Sequence, residues 1–447
     1  MKPISIDIEL NAKQKLAYEY INDKITTQIL FGGGCHSGKS FLACLWLLVS
    51  CISYPSTRWL MGRSKLKTLK QTTLATFFDL CKMCNLNEEH FNYNQQLGEI
   101  HFFNGSVIIL KDLFLYPSDP NFDSLGGLEI TGAVIDEANQ VTEKAKNIVT
   151  SRIRYRLDEY NLIPKLLMTC NPARNWVYTE FYKKSVEGVI EPYKKFIQAL
   201  ATDNKYTSKH YIAQLEKLDL VSRKRLLYGE WEYVDKAAIM KYDNIVDSFK
   251  DYAYTLTQHT TKPKYYISCD VARKGKDKAV IMVWDNYKVI EVIVKDISLT
   301  NEIVAAINSL KSKYKINNRS VVVDGDGVGG GVVDYLPNCI DFVNNSKALG
   351  GENYQNLKTQ CYFKLAELID KGEIEIYGFN VEQRELLSQE LAAIQRKNID
   401  KDGRLQISSK DMIKAIIGRS PDYSDALMMR MYFSINPYSN RITFRVN

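Results

Sequence analysis

The run Gly33-Gly34-Cys35-His36-Ser37-Gly38-Lys39-Ser40 satisfies the pattern G-x-x-x-x-G-K-[ST]. It stands between a short apolar run, Gln28-Ile29-Leu30-Phe31, and an apolar, helix-like stretch from Lys39 to Ser53. Glycines there let backbone N–H groups curl round a polyphosphate at a helix N-terminus, a lysine neutralises its charge, and the next hydroxyl ligates Mg²⁺. Residues 33–40 are therefore expected to hold ATP, with Lys39 on the phosphates and Ser40 on the ion. Such a loop needs an acidic partner, and Ala133-Val134-Ile135-Asp136-Glu137 supplies one. Asp136 is expected to hold Mg²⁺ through water and Glu137 to polarise the attacking water. Leu166-Leu167-Met168-Thr169 runs into Cys170-Asn171-Pro172, so Thr169 and Asn171 could sense a γ-phosphate; a strand simply stopped by Asn-Pro is the plainer reading. Arg152, Arg154 and Arg156 recur at every second residue. One could stabilise transition-state charge, in cis or in a neighbouring subunit, and a place facing solvent or DNA phosphate explains each equally well. Gln14 could read adenine edges, although an isolated glutamine is ordinarily a surface side chain.

In the second half carboxylates recur where strands end. Asp270 closes Tyr265-Tyr266-Ile267-Ser268-Cys269, Asp324 and Asp326 follow Val321-Val322-Val323, and Asp422 and Asp425 share one face of a helix start. One acid from a first strand, one from a later strand and one from a C-terminal helix is the arrangement of ribonuclease-H-like nucleases. Two ions, Mg²⁺ or Mn²⁺, need such converging acceptor-only oxygens, one to activate water and one to stabilise the leaving oxygen. Each aspartate alone reads as a turn or cap residue. Cys81 and Cys84 with His90 and His101 resemble half a zinc site, but no second cysteine pair follows at fitting spacing, which favours buried thiols.

The elements that must carry these residues alternate. Strands are expected at Gln28–Phe31, Trp59–Gly62, Val107–Leu110, Gly132–Asp136 and Lys165–Thr169, with helix at Lys39–Ser53 and again at Ser208–Glu232, a pattern of parallel α/β sheet. Weak periodicity from Tyr233 to Lys264 marks a boundary. The expected organisation is an ATPase domain over 1–235, a linker over 236–262 and a nuclease domain over 263–447. In the latter, strands at Tyr265–Asp270, Ala279–Trp284 and Val289–Val294, the last two joined by a hairpin-like turn, precede helices at Asn301–Tyr314, Leu357–Lys371 and Val381–Ala393. Further strands are expected at Ser320–Asp324 and near Cys339–Val343. The fold class is α/β throughout: a P-loop NTPase domain with a mostly parallel sheet, then a mixed-sheet ribonuclease-H-like domain.

At 447 residues and 45% hydrophobic the chain can fill two or three cores, which excludes intrinsic disorder. No apolar run is long enough to cross a bilayer and the N-terminus lacks a signal core, so neither a membrane nor a secreted protein is expected. Nine cysteines, an odd number in apolar surroundings, fit a reducing compartment. The excess of 59 Lys+Arg over 52 Asp+Glu is spread over both halves and permits a polyanionic partner without demanding one.

Taken as an ordered set, these residues resemble the large subunit of a tailed-phage terminase, along nearly the whole chain. The set is Phe31–Ser40, Val134–Ala138, Thr169-Cys170-Asn171-Pro172, Arg225-Leu226-Leu227-Tyr228-Gly229-Glu230-Trp231, Asp270-Val271-Ala272 with Gly275 and Asp277, Asp324-Gly325-Asp326-Gly327-Val328-Gly329, and Ser420-Pro421-Asp422-Tyr423-Ser424-Asp425-Ala426-Leu427. The resemblance implies an ATPase that translocates double-stranded DNA into a prohead and a nuclease that cuts concatemers. It also implies a terminase small subunit, the portal protein and a homo-oligomeric ring as partners, and the cytoplasm of an infected bacterial host, not the mature virion, as location. By match, Asp270, Asp324 and Asp425 are the metal-binding acids, Asp326 an additional carboxylate, and Asp422 stands where some members carry histidine. Many members have an arginine near the position of Cys35. Here that duty passes to another arginine, Arg63 or the 152–156 set. Competing readings are a helicase or DNA remodeller with a catalytically silent nucleic-acid-binding C-terminal domain, and a nucleotide-binding structural component of a particle. Glu137 argues against the latter, since a site that only binds needs no base.

Overall fold

The computed structural model describes residues 6–116, 118–119, 121–233, 237–254, 263–272, 277–296, 298–397 and 403–436. Gly275 and residues 234–236 and 255–262 of the boundary stretch lie outside them. The chain forms two compact units, Met1–Val234 and Asp235–Asn447.

The first unit is built on eight strands: β1 (Gln28–Gly33), β2 (Arg58–Arg63), β3 (Phe91–Asn94), β4 (Glu99–Phe102), β5 (Val107–Asp112), β6 (Gly132–Ile135), β7 (Leu166–Cys170) and β8 (Lys194–Ala199). Their order is β3-β4-β5-β2-β6-β7-β1-β8. All neighbours from β5 to β8 are parallel, and β3-β4-β5 is an antiparallel edge. Strands β1, β6 and β7 are buried at every residue, as continuous apolar strands inside a parallel sheet must be. The helix Lys39–Ser53 packs on the helix Thr73–Met83, and Leu42, Leu47, Phe77 and Leu80 share one core. The β3-β4 hairpin and β8 were not legible, since β8 reads Lys-Lys-Phe-Ile-Gln-Ala without a sustained apolar run. The helix expected over Ser208–Glu232 is two helices, Lys209–Glu216 and Leu220–Leu226, because Asp219 Oδ1 accepts the Ser222 N–H at 3.0 Å and starts the second afresh.

The second unit holds β9 (Tyr265–Asp270), β10 (Ala279–Asp285), β11 (Lys288–Lys295), β12 (Val321–Asp324), β13 (Ile340–Phe342) and β14 (Glu375–Ile376) in the order β13-β12-β9-β10-β11-β14. Strand β10 is antiparallel to both β9 and β11, whereas β9, β12 and β13 are mutually parallel, the order and senses of a ribonuclease-H-like sheet. Asn286, in the two-residue loop between β10 and β11, takes a φ of 52°, which asparagine tolerates. The stretch expected as a linker is partly structured: its helix Tyr242–Ser248 buries Ile245 and packs on the helices Leu357–Asp370 and Val381–Ala392, and Lys250 N–H donates to Ile376 O at 2.9 Å. Ile245 and Phe249, one helical turn apart, give this segment an apolar side to bury, so it belongs to the second unit instead of spanning a gap.

Candidate functional site

Strand β1 delivers the glycine-rich loop to the carboxyl end of the first sheet. At Gly33, with φ of 141°, a Cβ would stand 1.9 Å from Ala199 O, so only glycine fits. The loop is fastened from outside: Gly34 N–H donates to Ala199 O at 2.8 Å and Cys35 N–H to Leu226 O at 2.7 Å. Trp231 packs beneath Gly32, where a Cβ would meet its ring at 2.7 Å. The Arg225–Trp231 segment thus supports the loop. Gly38 caps the helix Lys39–Ser53 without a side-chain hydrogen bond, leaving the first N–H groups of the helix for an anion. The Lys39 ammonium donates to Gly33 O at 3.2 Å and Ser37 Oγ at 3.0 Å and also to Gly34 O; burial pulls its pKa down.

Because β7 lies between β1 and β6, the Thr169–Asn171 end comes between loop and acids. Asp136 gathers the site: its Oδ1 accepts from Ser40 Oγ at 2.9 Å and from Thr169 Oγ1, and its Oδ2 from Thr73 Oγ1 at 2.5 Å and Arg63 Nη1 at 3.3 Å. Glu137 follows in a left-handed conformation, φ 52°, which turns its carboxylate off the strand; burial, then the neighbouring Asp136, raises its pKa. Asn171 touches both sides, with Nδ2 3.5 Å from Glu137 Oε1 and Oδ1 3.5 Å from Lys39 Nζ, and the Cys35 thiol lies 3.7 Å from the same Oδ1. The His36 ring sits 5.2 Å from that of Tyr211, and Asn204 Nδ2 donates to His36 O at 2.7 Å.

Several expectations change. Gln14 is buried and its amide is engaged internally: Oε1 accepts Asn11 N–H and Nε2 donates to Gly38 O, both at 3.0 Å. It braces the phosphate loop and presents no free edge for adenine. Arg152 and Arg154 bond through their backbones to Ile130, before the start of β6, which places them at the end of the sheet opposite Asp136. That is about 20 Å along the strand, beyond a guanidinium's reach within one chain. Arg154 pairs with Glu129 at 3.4 Å and Arg156 with Glu159 at 3.3 Å. Arg63 alone of the candidates stands beside the acids. Thr73 had no sequence signal of its own, and Arg225, whose Nε donates to Pro172 O at 2.9 Å, was marked only as the start of the Arg225–Trp231 run. Cys81 is buried in the core, its pKa pushed up to about 12 by burial, while His90 bonds Asn87 at 2.8 Å and His101 meets Glu99 at 2.9 Å.

In the second unit, register brings the acids together. Val323 pairs with Cys269 in parallel, so Asp270 and Asp324 leave adjacent strand ends side by side, and the helix Asp422–Met429 packs on β9 and β10. Asp270, Asp324, Asp326, Asp422 and Asp277 line one cleft of about 810 Å³ with Asn344, Lys358 and Lys410. Burial, then Asp425, Asp422 and Asp324, raises the Asp270 pKa well above the ordinary carboxylate range. Asp324 is raised by burial, and burial takes Asp422 up to about 6. Oxygen-only donors that repel one another suit a divalent cation. As arranged, however, among the described residues no group of three or more His, Cys, Asp or Glu forms a ready ligand set. Many of their oxygens are engaged: Asp425 Oδ1 by Lys358 Nζ and Tyr362 hydroxyl, both at 2.7 Å, Asp422 Oδ2 by Lys278 N–H at 2.7 Å, and Asp326 Oδ2 by Asn344 Nδ2 at 2.8 Å. Asp326 thereby shapes the loop, while Asp324 is the acid that abuts Asp270. Beneath the helix, Glu390 accepts Ser424 N–H at 2.7 Å and Arg419 Nη1 at 2.8 Å; burial raises it to about 8. Lys358, Tyr362, Asn344 and Glu390 were not foreseen, since nothing in their local sequence marks them.

Residues 24–226 match the family model described as phage terminase large subunit. Among solved structures, the chain is similar to the large terminase of bacteriophage HK97, at 13% identity over 96% of each chain with a TM-score of 0.47. A large terminase from a thermophilic bacteriophage, in complex with ADP, aligns at 15% identity over 95% of this chain and 99% of that one, TM-score 0.44. The nuclease domain of the large terminase subunit gp2 of bacterial virus Sf6 aligns at 21% identity over 43% of this chain and 98% of that domain, TM-score 0.36. No curated protein matches. The family match thus covers residues 24–226, the part of the chain that carries the phosphate loop, Asp136, Glu137 and Asn171, and there the chain is similar to phage terminase large subunits.

Proposed function

We propose that this chain is the motor subunit of phage DNA packaging, in which the first unit hydrolyses ATP with Mg²⁺ to drive double-stranded DNA into a prohead and the second cuts concatemeric DNA with two Mg²⁺ or Mn²⁺ ions. The observation that carries the reading is the presence on one chain of a phosphate loop whose Ser40 meets Asp136 at 2.9 Å and an acid cleft at adjoining strand ends of a ribonuclease-H-like sheet. A nucleotide motor alone has no use for the second. Ser40 and Asp136 would hold the nucleotide's ion, and Lys39 would exchange loop carbonyls for phosphate oxygens. Glu137, its proton affinity raised by burial, accepts a proton from water; Asn171, between Glu137 and Lys39, relays the state of the phosphates to that base. Arg63 is the cationic candidate for transition-state charge within the chain. Asp270, Asp324 and Asp425 would hold the cleft's ions, with Asp422 assisting. DNA, a terminase small subunit, the portal and further copies in a ring are the partners this reading calls for, in the host cytoplasm. Among the described residues no helix is long and apolar enough to cross a membrane.

The test is supercoiled plasmid incubated with the purified chain and Mg²⁺ or Mn²⁺, without ATP, beside Asp270→Ala. Nicking and linearisation that the variant lacks are expected. Intact plasmid from a folded chain that still hydrolyses ATP would move the assignment to a helicase or remodeller with a silent second unit.

A further inference from the structure

Asp425, on the helix that carries Asp422, is held in a way the acids lining the cleft are not. The helix Leu357–Asp370 packs on the helix Asp422–Met429, and from one face of it Lys358 and Tyr362, a turn apart, both reach Asp425 Oδ1 at 2.7 Å. The Tyr362 hydroxyl is buried and lies 3.0 Å from Ser424 Oγ, so it is anchored independently of the lysine. The Lys358 side chain is only 14% exposed. Asp425 Oδ2 has Lys410 at 3.9 Å. A fixed ammonium therefore sits on the Asp425 carboxylate, and it lines the same cleft as Asp270 and Asp422.

We infer that Lys358 is a resident counter-cation of the acid cleft: its ammonium neutralises Asp425 in the ion-free protein and competes with a divalent ion for that carboxylate, so this lysine sets the affinity of the cleft for metal. The inference rests on the reading of the cleft as a metal-dependent nuclease site. A buried acid cluster needs positive charge nearby to fold, and a partly buried lysine supplies it at fixed geometry. An ion that binds must then overcome one unit of like charge a few ångström away. Tyr362 keeps the carboxylate oriented when the ammonium withdraws, so loss of the lysine frees charge without loosening the side chain. Lys358 is a positioning residue, and its role concerns ion occupancy before any chemistry.

The experiment is Mn²⁺ binding to the full chain without nucleotide or DNA, followed by electron paramagnetic resonance and calorimetry, for the unaltered protein, Lys358→Met, Lys358→Arg and Asp270→Asn. Lys358→Met is expected to bind Mn²⁺ roughly tenfold more tightly, to unfold at lower temperature in EDTA, and to gain more thermal stability from Mn²⁺. Lys358→Arg, which keeps the charge, should bind like the unaltered protein. Lys358→Gln is a second neutral variant that retains a donor for Asp425 and carries the comparison if the apolar variant does not fold. Unchanged or weaker binding in the neutral variants, with binding intact in the unaltered protein, overturns the role of Lys358 and leaves the nuclease reading standing. Absence of Mn²⁺ binding in the unaltered protein, or binding that survives Asp270→Asn, removes the cleft as a metal site and the inference with it.

Discussion

Lys39 and Asp270 are both buried charges beside the ends of buried strands, and burial moves them in opposite directions: the lysine releases its proton more readily and the aspartic acid retains it. The surroundings differ as much as the sign. In the first unit Asp136, with Glu137 beside it, is satisfied by Ser40, Thr169, Thr73 and Arg63, with Lys39 folded on loop carbonyls. In the second unit several carboxyls crowd one cleft, which Lys358, Lys397 and Lys410 also line. A preformed cradle of donors waits for an anion, whereas a crowd of acceptors is internally strained until positive charge arrives. The phosphate site is organised by hydrogen bonds and the acid site by charge balance.

The two sites should fail separately. Lys39→Ala should reduce ATP-driven phosphate release at least about 100-fold while leaving ion-dependent plasmid nicking in place, and Asp270→Asn should do the reverse; loss of both activities in either variant would break the division. Within the first site, Glu137→Gln should cost roughly 100-fold in turnover with binding of a fluorescent ATP analogue retained. Loop rigidity offers a third contrast, read by urea unfolding. Gly33→Ala, with Ala199 O 1.9 Å from the added carbon, should destabilise by about 3 kcal/mol. Gly327→Ala, in the acid loop with nothing within 4 Å and only its φ of 66° against it, should cost about 1 kcal/mol.

Charge balance sharpens the comparison through pH. Asp422 is held up to about 6 by burial, above its ordinary value, so the folded protein binds this proton more tightly than the unfolded chain does. The stability it contributes is present at low pH and is lost as pH rises from the ordinary carboxylate range through about 6. In EDTA, the thermal midpoint should respond to this group by falling between about pH 4 and 6, with a stability loss on the order of 2 kcal/mol, and Asp422→Asn should flatten the change. The smallest effect expected is that of Arg154→Ala: paired with Glu129 at the far end of the sheet, it should leave the turnover of an isolated chain unaltered while Arg63→Ala lowers it, as steady-state assays of the two variants would show.

The phosphate loop, the acids at strand ends and most of the strands that carry them are legible in the residues alone. Gly33 to Ser40 and Ala133 to Glu137 declare themselves because a backbone cradle needs glycines and a buried strand needs an unbroken apolar run. The helix Asp422–Met429 could be placed from its paired acids, and the strands from β9 to β13 from their apolar runs. What could not be read was everything set by packing between distant segments. Gln14 looked like a free amide and braces Gly38; Arg152 and Arg154 looked like neighbours of the nucleotide and sit at the other end of β6; the 236–262 stretch looked like a tether and carries a packed helix. Lys358 and Tyr362, 67 and 63 residues before Asp425, reach it only because two helices cross. Local pattern fixes which residues can do chemistry, since it depends on residue type and period. Which of them meet, and which carboxylate oxygens remain open, depends on register and helix packing over long sequence separations, and only the tertiary structure decides that.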